Sequence, residues 1–270
     1  EHIMATHGWS IEDFDFHWRG MDTSLQPKPP GAKRQWQPER ILTPRPDALD
    51  LINRATACFY GGRNECFAVG IHHGPWRDYD VAGAYATSMA IVPDPDFSVP
   101  PTYTNGYLSL ATISPVSYGF GYVDFEFPPD TLYPCLPIKD KSGKGLIFPL
   151  KGSCYASSPE IYLALRMGAK VRSNSFVVQH AKQTHSLLDV MRHLTNLRAR
   201  AASEYGKGSP QELFQKEVTN SVYGKIGQGL AGKRNYSVRR DEYQVSPPSS
   251  ITSAPQAALI TGLVRALVSA

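Results

Sequence analysis

The sequence predicts an α+β fold in which a strand-rich first part leads into a helical hairpin and then into a final apolar helix. Three observations carry this. Apolar and aromatic runs bounded by Gly and Pro recur between Ala111 and Gln179. From Ser186 the period becomes helical, with Leu187, Val190, Met191, Leu194 and Leu197 on one stripe. The break Gly206-Lys207-Gly208-Ser209-Pro210 then separates that helix from a second one.

Taken in order, residues 1–46 are rich in Pro, Trp, His and charge and have little periodicity, as in Gln26-Pro27-Lys28-Pro29-Pro30-Gly31. They read as a linker or the remnant of a preceding domain. A short helix is predicted from Pro46 to Ala57, with Pro46-Asp47 in its first turn. Two strand-like runs follow, Cys66 to Ile71 and Tyr79 to Val81, separated by the turn His73-Gly74-Pro75. Ala111 to Phe127 is strand-rich, and the alternation from Tyr122 to Phe127 puts Asp124 and Glu126 on one face. Such a pair can ligate a metal, although paired acids on an exposed strand face are usually just solvated. Leu136 to Ile138 and Leu146 to Leu150 flank Lys141-Ser142-Gly143-Lys144-Gly145 and read as a hairpin. Ser158-Pro159-Glu160 opens a helix that Gly168 closes, and Val171 to Gln179 returns as a strand. The hairpin helices run from Ser186 to about Tyr205 and from about Pro210 into Tyr223, and Ala254 to Ala270 is apolar and helix-like.

The chain has 270 residues and a formal net charge of +4, which excludes a uniformly basic nucleic-acid coat but leaves room for a local groove. Between Ser186 and Arg240 ten Lys or Arg residues face four acids, so the hairpin is basic. Cys58, Cys66, Cys135 and Cys154 show neither C-x-x-C spacing nor paired histidines, so reduced thiols are expected. His72 and His73 would point to opposite faces of a strand, which argues against a shared metal. The N-terminus has no apolar run and Ala254–Ala270, which carries Gln256 and Arg265, is short for a bilayer crossing. No membrane partner and a cytoplasmic location are expected. The chain starts on Glu1 and stops inside a helix-like segment, so it is expected to be a piece of a longer protein.

The most informative segment is Lys216-Glu217-Val218-Thr219-Asn220-Ser221-Val222-Tyr223-Gly224. On a helix Lys216, Asn220 and Tyr223 fall at i, i+4 and i+7 and project from one face. An ordinary buried face would carry Leu, Ile or Val there. An ammonium, an amide and a phenol ring suit a nucleoside triphosphate, with charge for the phosphates and a flat ring for sugar and base. Well upstream, Asp80 heads Asp80-Val81-Ala82-Gly83-Ala84-Tyr85-Ala86-Thr87. A carboxylate followed by small residues leaves space for a metal ion and for backbone N–H groups to approach an anion.

The pattern K-x-x-x-N-S-x-Y-G resembles the fingers-helix motif of family B DNA polymerases, and the Asp80 segment resembles that family's first carboxylate motif, D-x-x-S-L-Y-P. The register takes Asp80 rather than Asp78, because the aromatic must lie five residues on, at Tyr85. Gly83, Ala84 and Ala86 stand where that motif has Ser, Leu and Pro. Phe59-Tyr60-Gly61-Gly62-Arg63 looks like the Y-x-G-G segment of the protein-primed and related phage or plasmid branch, with Phe59 in the place of the Tyr. Ser157 to Lys170 is similar to the palm helix between the two main motifs, and Thr252 to Leu267 to the helix before the second carboxylate motif. The resemblance covers about Arg54 to Ala270.

The resemblance implies a polymerase palm, an antiparallel sheet with flanking helices, plus helical-hairpin fingers. Residues 47–182 would be the first part of the palm, 183–232 the fingers, and 233–270 a return to an incomplete palm. It implies Asp80 as the catalytic carboxylate, binding two Mg²⁺ ions with help from the Val81 carbonyl. Val81, Gly83, Ala84, Tyr85, Arg198, Lys216, Asn220 and Tyr223 would bind the incoming dNTP, Tyr85 as a steric gate against a 2′-hydroxyl. Arg198 is the first choice for a second phosphate ligand, with Arg200 and Lys207 as competitors. Phe59, Tyr60, Gly61, Gly62, Arg63, Ser221, Gly224 and Lys225 would lie along DNA. The implied partners are primer-template DNA, dNTP and, as a candidate, a terminal protein primer. A second aspartate, in a D-T-D motif, is expected beyond Ala270, so this chain alone is expected not to extend a primer. The interval from Gly224 to Pro255 is short for the insertion that gives the protein-primed subgroup its processivity. A degenerate polymerase kept for DNA binding is the alternative, and a nucleotidyltransferase with Asp80 and Lys216 in separate sites is a further one.

Overall fold

The computed structural model describes residues 1–270 except Pro29, residues 32–39, Trp76, Asp78, Tyr79, Lys141, Gly143, Lys144, Ala231, Lys233, Arg239, Arg240 and the side chain of His2. The chain opens with α1 (His2–His7), α2 (Ile11–Phe14), started by a Ser10–Asp13 capping box, and a π-helical turn over Asp15–Arg19. β1 (Met21–Leu25) and β2 (Arg40–Pro44) then pair antiparallel. Residues 1–46, read as a linker or the remnant of a preceding domain, thus hold helices and a strand pair among the described residues rather than a loose tether. Phe14 and Trp18 stack 5.0 Å apart and Trp18 is 1% exposed, so this segment contributes to the main core. Buried Asp15 accepts from Arg19 at 2.8 Å, from Thr23 at 2.9 Å and from Arg40, while Arg19 also donates to the Thr252 carbonyl at 2.8 Å. A few aromatic anchors and one buried acid fix a stretch whose composition looks loose.

α3 (Leu49–Cys58) follows, close to the span read from sequence, and α4 (Ala84–Ile91) comes after a long irregular stretch. Among the described residues 59–83 hold no helix or strand. The strand expected over Cys66–Ile71 is absent, and of the run Tyr79–Val81, Tyr79 lies outside the described residues. The reason is physical: a strand needs a neighbouring backbone, and here Val69 and Ile71 are 88% and 87% exposed with no ladder to join.

The sheet is built from β3 (Thr102–Tyr107), β4 (Tyr118–Glu126), β7 (Lys151–Ser157) and β8 (Lys170–Gln179), antiparallel in the order β3-β8-β4-β7. A separate short ladder joins β5 (Ile138–Lys139) to β6 (Leu146–Ile147); Lys141, Gly143 and Lys144 of the expected turn lie outside the described residues. α5 (Ser158–Arg166) follows β7 directly, started by a capping box between Ser157 and Glu160. Along β4, Val123 and Phe125 are buried and pack with Ile161 and Ala164 of α5, while Tyr122, Asp124 and Glu126 face solvent. Asp124 accepts from Ser153 at 2.5 Å and Glu126 pairs with Lys151 at 3.1 Å, which is the solvated arrangement rather than a ligand pair.

α6 (Ser186–Tyr205) and α7 (Pro210–Ile226) form the predicted helical hairpin, with Ser209 capping α7 through the Glu212 N–H. The root of the hairpin is pinned by buried Asp94, which accepts from the Ser186 N–H at 3.2 Å, Ser186 Oγ at 2.7 Å, Thr184 Oγ1 at 2.6 Å and Trp18 Nε1 at 3.3 Å. A carboxylate at this end of α6 also complements the helix dipole. A short hairpin of β9 (Arg234–Ser237) and β10 (Glu242–Val245) fills part of the interval after α7. α8 (Ala254–Ser269) closes the chain and packs into the same core as α3, α4 and the roots of α6 and α7. Among the described residues no helix is long and apolar enough to cross a membrane.

Candidate functional site

Asp80 is exposed and lies in the irregular stretch before α4. The Val81 carbonyl accepts the Ala84 N–H at 3.3 Å, and Gly83, at φ +65°, makes the turn into the helix. A side chain there would strain the backbone, which accounts for glycine at this point. The turn sets Tyr85 in the first turn of α4. Its ring lies 4.4 Å from that of Tyr223 on α7, the planes tilted by 34°. Burial, followed by its neighbour Tyr85, pushes the Tyr223 phenol well above the usual range. A Cβ built on Gly62 would sit 4.0 Å from the Tyr85 hydroxyl. Tyr85 is thus the point at which the glycine-rich loop, the Asp80 turn and the second hairpin helix meet.

Along α7, Lys216 and Asn220 are exposed and Tyr223 is half-buried, so the polar face runs outward from the two tyrosines. At 1.5 Å per residue, Lys216 stands about 10 Å up the axis from Tyr223. Ser221, Gly224 and Lys225 are also exposed. Ser221 Oγ donates back to the Val218 carbonyl at 2.8 Å, Lys225 Nζ donates to Gln228 Oε1 at 2.9 Å, and a Cβ on Gly224 would meet nothing within 4 Å. Arg198 is engaged within the hairpin: its Nε donates to Glu212 at 2.5 Å, and the other Glu212 oxygen accepts the Gly208 N–H at 3.2 Å. The Arg198 hydrogen bond holds the Glu212 carboxyl below its ordinary range.

The Phe59–Arg63 segment divides between surface and interior. Phe59 packs on Gly227, whose added Cβ would lie 2.9 Å from the ring, and Gly61 and Gly62 stay exposed. Tyr60 is buried, and Arg63 is turned inward, bonded to Glu65 at 2.6 Å and Ser269 at 2.7 Å and lying 4.3 Å over the Phe148 ring. A cavity of about 340 Å³ opens between this loop, Lys139 and Leu146. The loop is held from behind by Arg265, which donates to the carbonyls of Tyr60 at 3.0 Å and Gly61 at 2.9 Å and to Glu160 at 2.9 Å. Both members of that ion pair are 0% exposed. Gly262, one turn earlier, allows the approach, since a Cβ there would lie 2.1 Å from Ser157 Oγ. Glu160 and Asp94 support the site from positions that no motif marks. One signal was available, because a lone arginine in an apolar helix needs a buried counter-charge.

The Asp80 turn offers the Asp80 carboxylate and the Val81 carbonyl as donors. Both are oxygens, which fits a hard divalent cation such as Mg²⁺. Among the described residues no group of three or more His, Cys, Asp or Glu could hold a metal ion. The cysteines are free: Cys58, Cys135 and Cys154 are buried and Cys66 is exposed. Burial pushes the Cys135 thiol up to about 12. An aromatic disulfide reagent at about pH 8 is therefore expected to titrate Cys66 quickly and the other three only on unfolding; four fast thiols in the folded chain would contradict this packing.

A family model for DNA polymerase type B, organellar and viral, matches residues 50–254. The primer-independent DNA polymerase PolB of Escherichia coli is 36% identical over 226 residues, covering 78% of this chain and 24% of that protein. The chain thus spans about a quarter of that relative's length. Among solved structures, Phi29 DNA polymerase in its ternary complex with primer-template DNA and incoming nucleotide superposes with a TM-score of 0.53 at 15% identity, over 81% of this chain and 39% of that one. At that identity the likeness is one of fold.

Proposed function

Because this chain belongs to the organellar and viral type B DNA polymerases, we propose that it forms the palm-and-fingers part of an enzyme that adds deoxynucleotides to a primer 3′-hydroxyl. Residues 47–182 and 233–270 are assigned to the palm and 183–232 to the fingers. The observation that supports this reading is the 4.4 Å contact between Tyr85, five residues after Asp80, and Tyr223 on the helix that carries Lys216 and Asn220. Lys216 takes the triphosphate; Tyr85, Asn220 and Tyr223 shape the sugar and base pocket; Gly61, Gly62, Ser221, Gly224 and Lys225 border the DNA. Arg63, turned inward, acts by bracing its loop. Arg198 reaches a phosphate only by leaving Glu212.

Asp80 and the Val81 carbonyl are the residues that would hold Mg²⁺. Bound there, the ion would neutralise charge on the transferred phosphoryl group and orient the attacking oxygen. One carboxylate and one carbonyl leave most of an octahedral shell to other donors, so the 270 residues alone are proposed to bind primer-template and dNTP weakly without extending. The work is placed in the cytoplasm, with the DNA.

Tyr85 supplies the test. In a polymerase carrying this chain, Tyr85→Val should reduce discrimination against ribonucleotides by about ten- to two-hundredfold while dNTP use persists. Unchanged sugar selection in single-nucleotide incorporation assays would remove the assignment. Since the Escherichia coli relative is named primer-independent, product formed from template and dNTPs alone is the priming mode to test first, with a terminal protein as the alternative.

A further inference from the structure

The four-stranded sheet leaves part of one face open, and its residues are unlike those of an ordinary solvated face. Tyr122 of β4 lies directly across from Tyr155 of β7, the rings 5.2 Å apart at 68°, and Tyr122 is 49% exposed. On the far edge Tyr107 of β3, 71% exposed, lies across from Arg172 of β8. Lys170, two residues before Arg172, is on the same side. Strand spacing and rise place Tyr107 about 12 Å from Tyr122, roughly two nucleotides of an extended strand.

The charges on this face are unevenly committed. Of its two acids Glu126 pairs with Lys151, whereas Asp124 accepts from the neutral Ser153 hydroxyl and keeps its charge. Among the described residues Lys170 and Arg172 make no ion pair, although each lies across from an acid in the ladder. With Lys151 the open face carries three cations against two acids, and Lys170 and Arg172 lie on β8 between the strands that carry Tyr107 and Tyr122. Aromatic rings accept bases of any sequence, and flanking cations accept the phosphates.

From this placement we infer that the open face of the sheet is a second nucleic-acid site, which takes single-stranded DNA by stacking bases on Tyr122, Tyr155 and Tyr107 and by pairing phosphates with Lys170 and Arg172. It is separate from the nucleotide site around Tyr85 and does not depend on it. A strand bound here is recognised by its flexibility and charge, so binding is insensitive to base sequence and weakens with salt.

The test uses the 270-residue chain and a labelled oligo-dT of about 12 nucleotides. By fluorescence anisotropy, Tyr122→Ala with Tyr155→Ala should weaken binding at least about tenfold. Lys170→Glu with Arg172→Glu should also flatten the slope of log K against log salt by about 1.4, or 0.7 for each lost phosphate contact. Unchanged affinity and slope in both variants would overturn the inference. As these side chains are exposed, circular dichroism should report a native fold; independent of any variant, photo-crosslinking of 5-bromouracil oligonucleotide to the wild-type chain should label Tyr122 or Tyr155. Crosslinks confined to α7 and the Phe59–Gly62 loop would sink this site and leave the polymerase reading standing. Crosslinks on the sheet without any on α7 would support it even if that reading failed. A concentration-dependent dimer abolished by the tyrosine variants, with oligo-dT binding intact, would mark the face as a protein contact and overturn the inference.

Discussion

In a polymerase carrying this chain, Asp80→Asn is expected to slow primer extension about a thousandfold or more, with the fold intact. The change keeps the shape of the side chain and removes only its charge. A cation clamp on a transferring phosphoryl group supplies several kcal/mol, and each 1.36 kcal/mol is tenfold in rate. Asp80 is exposed and its loss opens no cavity, so stability should scarcely move. Lys216→Ala should act differently, weakening dNTP use by about ten- to a hundredfold through one lost charge-assisted contact. Single-turnover incorporation across a range of dNTP concentrations separates the two. Full activity in Asp80→Asn would exclude it as the metal-binding carboxylate. Inactivity of the unmodified parent protein, with DNA binding retained, would favour the degenerate DNA-binding alternative.

The second large effect concerns stability. Arg265→Met should cost about 3–5 kcal/mol, because it strips a fully buried carboxylate of its partner. It also leaves the Tyr60 and Gly61 carbonyls without their guanidinium donor. For a chain of this size that corresponds to a fall in Tm of about 6–20 °C. Glu160→Leu combined with Arg265→Met should recover part of the loss, since no unpaired charge then remains buried. Additive losses in urea denaturation would contradict the pairing. The glycine-rich loop should loosen as well, read as faster amide exchange at Gly61 and Gly62.

Local patterns made much of this molecule legible. The apolar stripe from Leu187 to Leu197 and the break at Gly206–Pro210 gave the helical hairpin, and Ser158-Pro159-Glu160 with Gly168 gave α5. The alternation around Val123 and Phe125 located β4. What escaped depends on partners distant in sequence. Phe14 and Trp18 look like isolated aromatics until α8 and the root of α6 cover them. Glu160 and Arg265 stand 105 residues apart, so no local spacing couples them. β3, reading Thr-Tyr-Thr-Asn-Gly-Tyr, is a polar edge strand defined by pairing with β8 rather than by its own apolar pattern. The opposite error, a strand over Cys66–Ile71, followed from side chains that favour strands in a backbone without a ladder.

The site divides in the same way. Tyr85 and Tyr223 were named from separate motifs and lie in ring contact, 138 residues apart in the chain. The resemblance points to Arg198 as a phosphate ligand, and in the fold its charge is held by Glu212. Sequence spacing can put a cation on a helix face, but only the surrounding structure decides what that cation meets first.

The central claim is that the Asp80 turn and the α7 face serve one nucleotide. A crystal structure of a polymerase carrying this chain, with primer-template, Mg²⁺ and a non-hydrolysable dNTP, tests it directly. The predicted result is one triphosphate with its phosphates at Lys216, its sugar on Tyr85 and an ion joining it to Asp80. A triphosphate bound at Lys216 with Asp80 facing another surface would contradict the account.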